Sequence, residues 1–290
     1  MPWIDTCLKS CGNYPVVIVD NASTDDSISY IETNYLNVTL LKQEVNLGFG
    51  QANNIGIRYA LDKGAEHVFL LNQDAYMVDL VLEKLIVFQE QRPEFGVLSP
   101  IHITGCKKKL DKNFSKFMLK EKTGQFYSDF VLGNTLAPVY EVPFVNAAAW
   151  LISKTCLETV GGFDPLFFHY GEDDNYCQRV LFHNFKIGVL PKTYVIHDRN
   201  DREFIKPIMF SAEYYKNIER IYKIVHANIN TDHKLDYKIK KLQKIILKLK
   251  IKMKFERASF YKKELTILLG IKPFLLKSRA INKKRGSHYL

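Results

Sequence analysis

Residues Phe167 to Arg179 read FFHYGEDDNYCQR, and the three consecutive acids within them, Glu172, Asp173 and Asp174, are the strongest chemical signal in the chain. Acids at a helix start are stabilised by the exposed amides and the helix dipole. Three adjacent acids also repel one another, so they call for an offsetting metal, cation or substrate hydroxyl. An acid set beside an apolar wall in this way can serve as a general base. The competing reading is a solvated acidic helix start, because surface acids are common.

Other candidates lie at the ends of apolar runs. Asp20 closes Val16-Val-Ile-Val-Asp20 and leads into Asn21-Ala-Ser-Thr-Asp25. A strand-end carboxylate can accept hydrogen bonds from a base or ribose, and it can equally form an Asx turn that caps the next helix. The stretch from Asn46 to Gly56, NLGFGQANNIG, offers glycines that let backbone approach a ligand, together with side-chain amides. It is neither GxGxxG nor a Walker loop. Asp74 follows an apolar run and Asn72-Gln73, where an oxygen ligand for a hard divalent cation or a helix cap would sit. His197 ends Tyr194-Val-Ile-His197, and imidazole suits Mn²⁺-like ions better than Mg²⁺. A metal site requires Asp74, Asp173 and His197 to converge.

The elements that must position these residues follow from periodicity. Val16–Asp20, Val38–Gln43 and His67–Leu71 read as buried strands, with a fourth at Val97–Ser99 and late strands at Lys186–Leu190 and Thr193–His197. Helices are expected at Trp3–Ser10, Ser27–Tyr35, Asn53–Lys63, Val78–Gln91, Val145–Val160 and Glu172–His183. Residues Thr104–Pro143 break the rhythm and read as a small antiparallel excursion or loop. The alternation implies an α/β fold with a mostly parallel sheet flanked by helices, whose sites form at strand carboxyl ends.

With 290 residues the chain can bury a large core. Its net charge of +10 is very uneven: residues 231–290 hold 18 Lys/Arg against 4 Asp/Glu, leaving 23 basic and 27 acidic residues before them. The five cysteines form no CxxC pair, and their odd number argues against a complete disulfide framework. Cys7 and Cys11, four apart, read as a buried pair on an early helix. There is no signal-peptide pattern and no apolar run of about 18 residues, so a cytoplasmic body is expected.

In register, VVDNASTDDS, NLGFGQANNIG, FLLNQDA, GGFDP, GEDDNYCQR and IHD resemble the family 2 glycosyltransferases of GT-A fold, in particular their rhamnosyltransferase-like branch. The similarity spans roughly Pro2 to Asp198. It implies an inverting transferase with a nucleotide-sugar donor (UDP- or dTDP-linked), a glycan or lipid-linked acceptor and a divalent metal, Mn or Mg. Carried over, Asp173 is the base and Glu172 orients the acceptor; Asp20, Asn21, Asn46, Gly48, Asn53 and Asp74 bind donor; Asp74 and His197 bind metal. The sequence departs from the family at Asn72, where many relatives carry Asp. It also opens directly on the helix Trp3–Ser10, which the family precedes with a central strand. Either another segment fills that slot or further sequence lies upstream, and a non-catalytic nucleotide-sugar-binding or scaffold protein is the alternative.

The domain expectation is a transferase domain over 1–230 and a basic helical tail over 231–290. Ile239, Leu242, Ile245, Ile246 and Leu249 recur at helical spacing among lysines, and Leu265–Leu276 adds an apolar stretch broken by Gly270 and Pro273. Such a tail suits docking on an anionic membrane, at the inner face of the cell membrane. Packing on the body or in a homo-oligomer is the alternative. Nucleic acid is the weakest partner, since no binding motif accompanies the charge.

Overall fold

The computed structural model describes residues 3–118, 123–199 and 207–290. The first half runs α1 (Ile4–Ser10), β1 (Val17–Asp20), α2 (Ser27–Asn34), β2 (Thr39–Lys42), α3 (Phe49–Asp62), β3 (His67–Leu71), β4 (Ala75–Met77), α4 (Val81–Gln91) and β5 (Phe95–Thr104). Then follow α5 (Lys112–Met118), α6 (Gly124–Leu132), β6 (Tyr140–Glu141), β7 (Ala149–Ser153), α7 (Lys154–Val160), α8 (Glu172–Phe182) and β8 (Lys186–His197). Three helices close the chain, α9 (Ala212–Ala227), α10 (Leu235–Ile251) and α11 (Phe255–Asn282).

The α/β class with a sheet flanked by helices is as expected, but the main sheet is mixed rather than mostly parallel. Its order is β3-β7-β5-β8-β4, with β6 also on β8. β5 and β8 run parallel, whereas β7 is antiparallel to both β3 and β5, and β4 is antiparallel to β8. The reversal comes from residues 145–160, expected as one helix. Ala149-Trp-Leu-Ile-Ser153 is instead a fully buried central strand. Ser153 then accepts the Cys156 amide at 3.3 Å and starts α7. A short apolar run buried on all sides has no periodicity to separate strand from helix, so the neighbouring strands decide it. Lys186–His197 is continuous but slips in register against β5 where Pro191 interrupts the ladder, near the break between the two expected strands. Within 104–143 the described residues carry the antiparallel pairing expected there, at the Ile103–Leu110 bridge and in β6 on β8, and add two helices the sequence did not signal, α5 and α6, which bury Phe114, Met118 and Phe126.

β1 and β2 stand apart as a two-stranded parallel sheet. Among the described residues no strand lies between β1 and β3 to fill the slot expected for an opening strand. Helix α3 spans the gap, touching both β1 and β3. Gly56 brings it close to β1, since a Cβ there would lie 3.3 Å from Val19.

Helices α9, α10 and α11 share a core in which Tyr222, Leu235, Ile239, Leu242, Leu268 and Leu275 are buried beside Phe167. The apolar stripe of α10 is thus turned toward protein at Ile239 and Leu242. The expected break at Gly270 and Pro273 does not occur. Ile271 and Leu275 are buried on either side of Pro273, and the carbonyl it leaves free belongs to Leu269 on an exposed turn, where water can satisfy it. None of the described helices is long and apolar enough to cross a membrane.

Candidate active site

Two asparagines tie the turn after β1 to the turn before α3. Asn21 Nδ2 donates to Asn46 Oδ1 at 3.0 Å and to the Gly48 carbonyl at 3.4 Å, and Asn21 Oδ1 accepts the Leu47 amide at 2.7 Å. Asn46 Oδ1 also accepts the Gly48 amide at 2.9 Å. Gly48 has φ +80, and a Cβ there would lie 2.0 Å from the Phe168 carbonyl oxygen, so only glycine fits. Two residues on, a Cβ on Gly50 would be 3.7 Å from Glu172 Cβ. The asparagine–glycine loop is therefore seated directly on the segment that carries the acids.

Asp20 is buried and its Oδ2 accepts the Ser23 amide at 3.1 Å, which is the turn role weighed for it. Asn53 turns back along its own helix and donates to the Phe49 carbonyl at 2.9 Å. Its neighbour Asn54 does what the sequence did not reveal. Its amide both donates to the Phe163 carbonyl and accepts the Phe163 amide, at 2.8 and 2.7 Å, pinning the turn that precedes the acids.

The acids open α8 after Gly171, which takes the left-handed conformation at the N-cap. Glu172 is buried, and its Oε2 finds no hydrogen-bond donor among the described groups. Burial raises its carboxyl above the ordinary value, and the charge of Asp174 adds to the effect. Asp173 is pushed up to about 7, first by loss of water around it and then by Asp174 and Glu172. Beneath them, fully buried Arg179 donates to the Val160 and Gly162 carbonyls at 2.9 and 2.5 Å, fixing the GGFDP turn to α8. Next to the acids, Phe167, Phe168, His169 and Tyr170 line a cleft of about 180 Å³ with Lys216 and Arg220 of α9.

Asp74 and His197 are brought together by the β4–β8 pairing, in which Ala75 faces His197. Asp74 Oδ1 lies 3.4 Å from His197 Nε2, is buried, and accepts no hydrogen bond from any described group. On the other side of the imidazole, Nδ1 lies 3.4 Å from Asp111 Oδ2. Asp111 in turn receives Arg199 at 3.0–3.1 Å and caps α5 through the amides of Asn113 and Phe114. Burial alone would raise both carboxyls, but His197 outweighs it and holds Asp74 and Asp111 below the ordinary range. Burial works to lower the imidazole, yet Asp111 and Asp74 prevail and raise it. Among the described residues no three His, Cys, Asp or Glu side chains converge as a closed metal cage. The arrangement is open, with one carboxylate and one imidazole on a common face.

The sequence reading missed Asp111 and Arg199. Asp111 lies in the irregular segment 104–143, and its only local mark is an Asp ahead of a helical run, as for any N-cap.

The family model described as Glycosyl transferase family 2 matches residues 2–159. The chain is 26% identical over 220 residues to dTDP-rhamnosyl transferase RfbF of Shigella flexneri, spanning 74% of this chain and 70% of that protein. It is 26% identical over 195 residues to the low-salt glycan biosynthesis hexosyltransferase Agl10 of Haloferax volcanii, spanning 63% and 58%. In fold it resembles GalNAc-T7, solved with UDP, GalNAc and Mn²⁺, at TM-score 0.54 and 13% identity, over 77% of this chain and 45% of that one. It also resembles S. aureus TarS 1–349, solved with UDP-GlcNAc, at TM-score 0.51 and 17% identity, over 97% and 85%.

Proposed function

The chain belongs to glycosyl transferase family 2, and from that premise we propose an inverting enzyme that moves a hexosyl or rhamnosyl group from a UDP- or dTDP-sugar. The acceptor in this reading is a glycan or lipid-linked glycan of surface-polysaccharide synthesis. The observation that carries the reading is the seating of the asparagine–glycine loop on the acid segment, Gly48 against Phe168 and Gly50 against Glu172. A donor held by Asp20, Asn21, Asn46, Gly48, Asn53 and Asp74 would thereby have its sugar delivered beside Asp173.

Asp173 takes the proton of the acceptor hydroxyl as the new bond forms. A carboxyl poised at about 7 is a stronger base than an ordinary aspartate and is still substantially ionised near neutrality. Glu172 orients the acceptor from the start of the same helix. The cleft lined by Phe168, Tyr170, Lys216 and Arg220 is the side from which an anionic or glycan acceptor would approach.

Asp74 and His197 fit an open divalent position of the Mn or Mg kind. Asp74 Oδ1, a buried oxygen that accepts no hydrogen bond from any described group, lies 3.4 Å from His197 Nε2, so a carboxylate oxygen and an imidazole nitrogen stand together as ligands such an ion would take. Diphosphate and water would supply the remaining ligands, and imidazole favours Mn²⁺. When bound, the ion supplies positive charge to the departing diphosphate. The residues' own work is to keep Asp74 ionised and the imidazole turned toward it.

A melting-temperature panel of UDP-, dTDP- and GDP-sugars with and without Mn²⁺ tests donor and metal together, because a ligand of the folded state raises its stability by mass action. Turnover of the preferred labelled donor then separates an enzyme from a non-catalytic donor-binding protein. Stabilisation by no nucleotide-sugar, with or without Mn²⁺, removes the reading.

A further inference from the structure

The hairpin of α10 and α11 has a packed end and a bare end. Near its base Leu235, Ile239 and Leu242 are buried with Leu268, Ile271 and Leu275. Toward the turn the pattern inverts, and Leu247, Ile251, Met253 and Phe255 are 59%, 73%, 77% and 61% exposed. Single exposed apolar side chains are ordinary, but four large ones within nine residues form a patch. The turn that presents them is ordered by its own backbone. The Met253 and Lys254 amides donate to the Lys250 and Leu249 carbonyls, each at 2.9 Å.

The same tip is strongly basic. Residues 244–257 contain six Lys/Arg and one acid, Glu256. Lys248, Lys250, Lys252 and Lys254 are all exposed and alternate with the apolar side chains. A second exposed apolar segment is anchored to α11. Phe210 stacks on Phe260 of α11 with ring centroids 4.5 Å apart, and the adjoining Ile208 and Met209 are 81% and 58% exposed.

We infer that the α10–α11 turn is a wedge for an anionic lipid surface: Leu247, Ile251, Met253 and Phe255 enter the acyl boundary while the lysines around them meet headgroup phosphates. Charge decides the occupant. In a two-fold contact between copies, the same patch faces itself, so each cluster of six cations would meet its own image. Anionic headgroups over an apolar layer complement both features at once. The wedge differs from the amphipathic stripe apparent in the sequence, because Ile239 and Leu242 of that stripe are already spent on the protein's own core.

The test uses the full chain with phosphatidylcholine vesicles, with and without phosphatidylglycerol, across a salt series. The wild type is expected to co-sediment with the anionic vesicles only, and less as salt screens the attraction. Met253→Trp should shift its emission to the blue on binding, which reports entry of that side chain into the apolar layer. The combined Ile251→Ser, Met253→Ser, Phe255→Ser variant changes only exposed positions and should retain its circular dichroism. It should partition at least roughly tenfold more weakly, since each buried apolar group adds to membrane affinity. Replacing Lys250, Lys252 and Lys254 by Gln should flatten the salt dependence. Unchanged binding by the serine variant, unshifted emission in the bound state, or equal binding to neutral vesicles would each overturn the wedge. Dimerisation lost in the serine variant, with no vesicle binding by the wild type, would assign the patch to a second copy instead. None of these readouts involves sugar transfer, so the inference stands or falls apart from the proposed activity.

Discussion

Asp111 Oδ2 lies 3.4 Å from His197 Nδ1, on the side of the ring opposite Asp74, which faces Nε2 at the same distance. A carboxylate behind an imidazole keeps the proton on the rear nitrogen and leaves the front nitrogen free to bind metal. Asp111→Asn retains an oxygen to cap α5 but loses the charge, so the fold should persist. Mn²⁺ affinity in the presence of nucleotide is expected to fall roughly 10–100-fold, the usual cost of removing such a partner. A Mn²⁺ titration followed by electron paramagnetic resonance measures it. Affinity equal to wild type would show that the contact is structural only.

Asp74→Ala removes the carboxylate of the proposed metal position. Metal-dependent stabilisation by nucleotide should vanish while the metal-free melting temperature stays close to wild type. A variant that keeps its Mn²⁺-dependent shift would show that Asp74 is not a ligand.

Asp173→Asn is nearly isosteric but takes no proton, and turnover should drop by a factor on the order of 10²–10⁴ with donor affinity little changed. In the wild type, kcat/KM should climb with pH up to a limb near 7, because the base must be ionised. Stability should move the opposite way. A carboxyl raised in the folded state contributes stability below its unfolded pKa and loses it as pH rises through the folded value. Relative to Asp173→Asn, the wild type should therefore weaken between about pH 4 and 7, which paired thermal melts across pH would show. Near-normal transfer by the variant would pass the base role to Glu172 or Asp174.

Among the described residues β1 pairs only with β2, and β3 only with β7, so each shows one edge without a described strand partner. Edge amides and two-stranded units open easily. Hydrogen exchange at Val17–Val19 is expected to be much faster than at Val97, Leu98 and Leu151, which lie inside the main sheet. Equal protection would mean that another segment covers the β1 edge in solution.

Asp164 of the GGFDP turn accepts Ser278 and Asn282 of α11, both at 2.6 Å, and its other oxygen accepts the Leu166 amide at 2.9 Å. The last residues add the bond from Gly162 N to the His288 carbonyl at 2.8 Å. Asp164→Ala would strand buried donors on α11, and a loss of about 2–4 kcal/mol in unfolding free energy is expected. Removal of 231–290 should cost more and lower the melting temperature sharply, because it strips the same turn and bares the core around Phe167 and Tyr222. A truncated protein that melts like the full chain would show that the tail is dispensable for folding.

The sequence alone determined the early strands, most helices, the α/β class and the two stations of acids. These depend on local runs, caps and turn residues, whose physics acts within a few positions. It also paired Asp74 with His197 by resemblance, and the β4–β8 register places them together. Tertiary structure decided what local pattern leaves degenerate. Ala149–Ser153 became a strand because its neighbours offered two ladders to a run buried on every side. Asp111 joined the site from a segment without periodicity, through a contact spanning 86 positions in the chain to His197. The stripe on α10 looked free for lipid because helical spacing records which face is apolar and not what covers it. Only packing against α9 and α11 showed that its base is core and that the bare apolar surface lies at the turn.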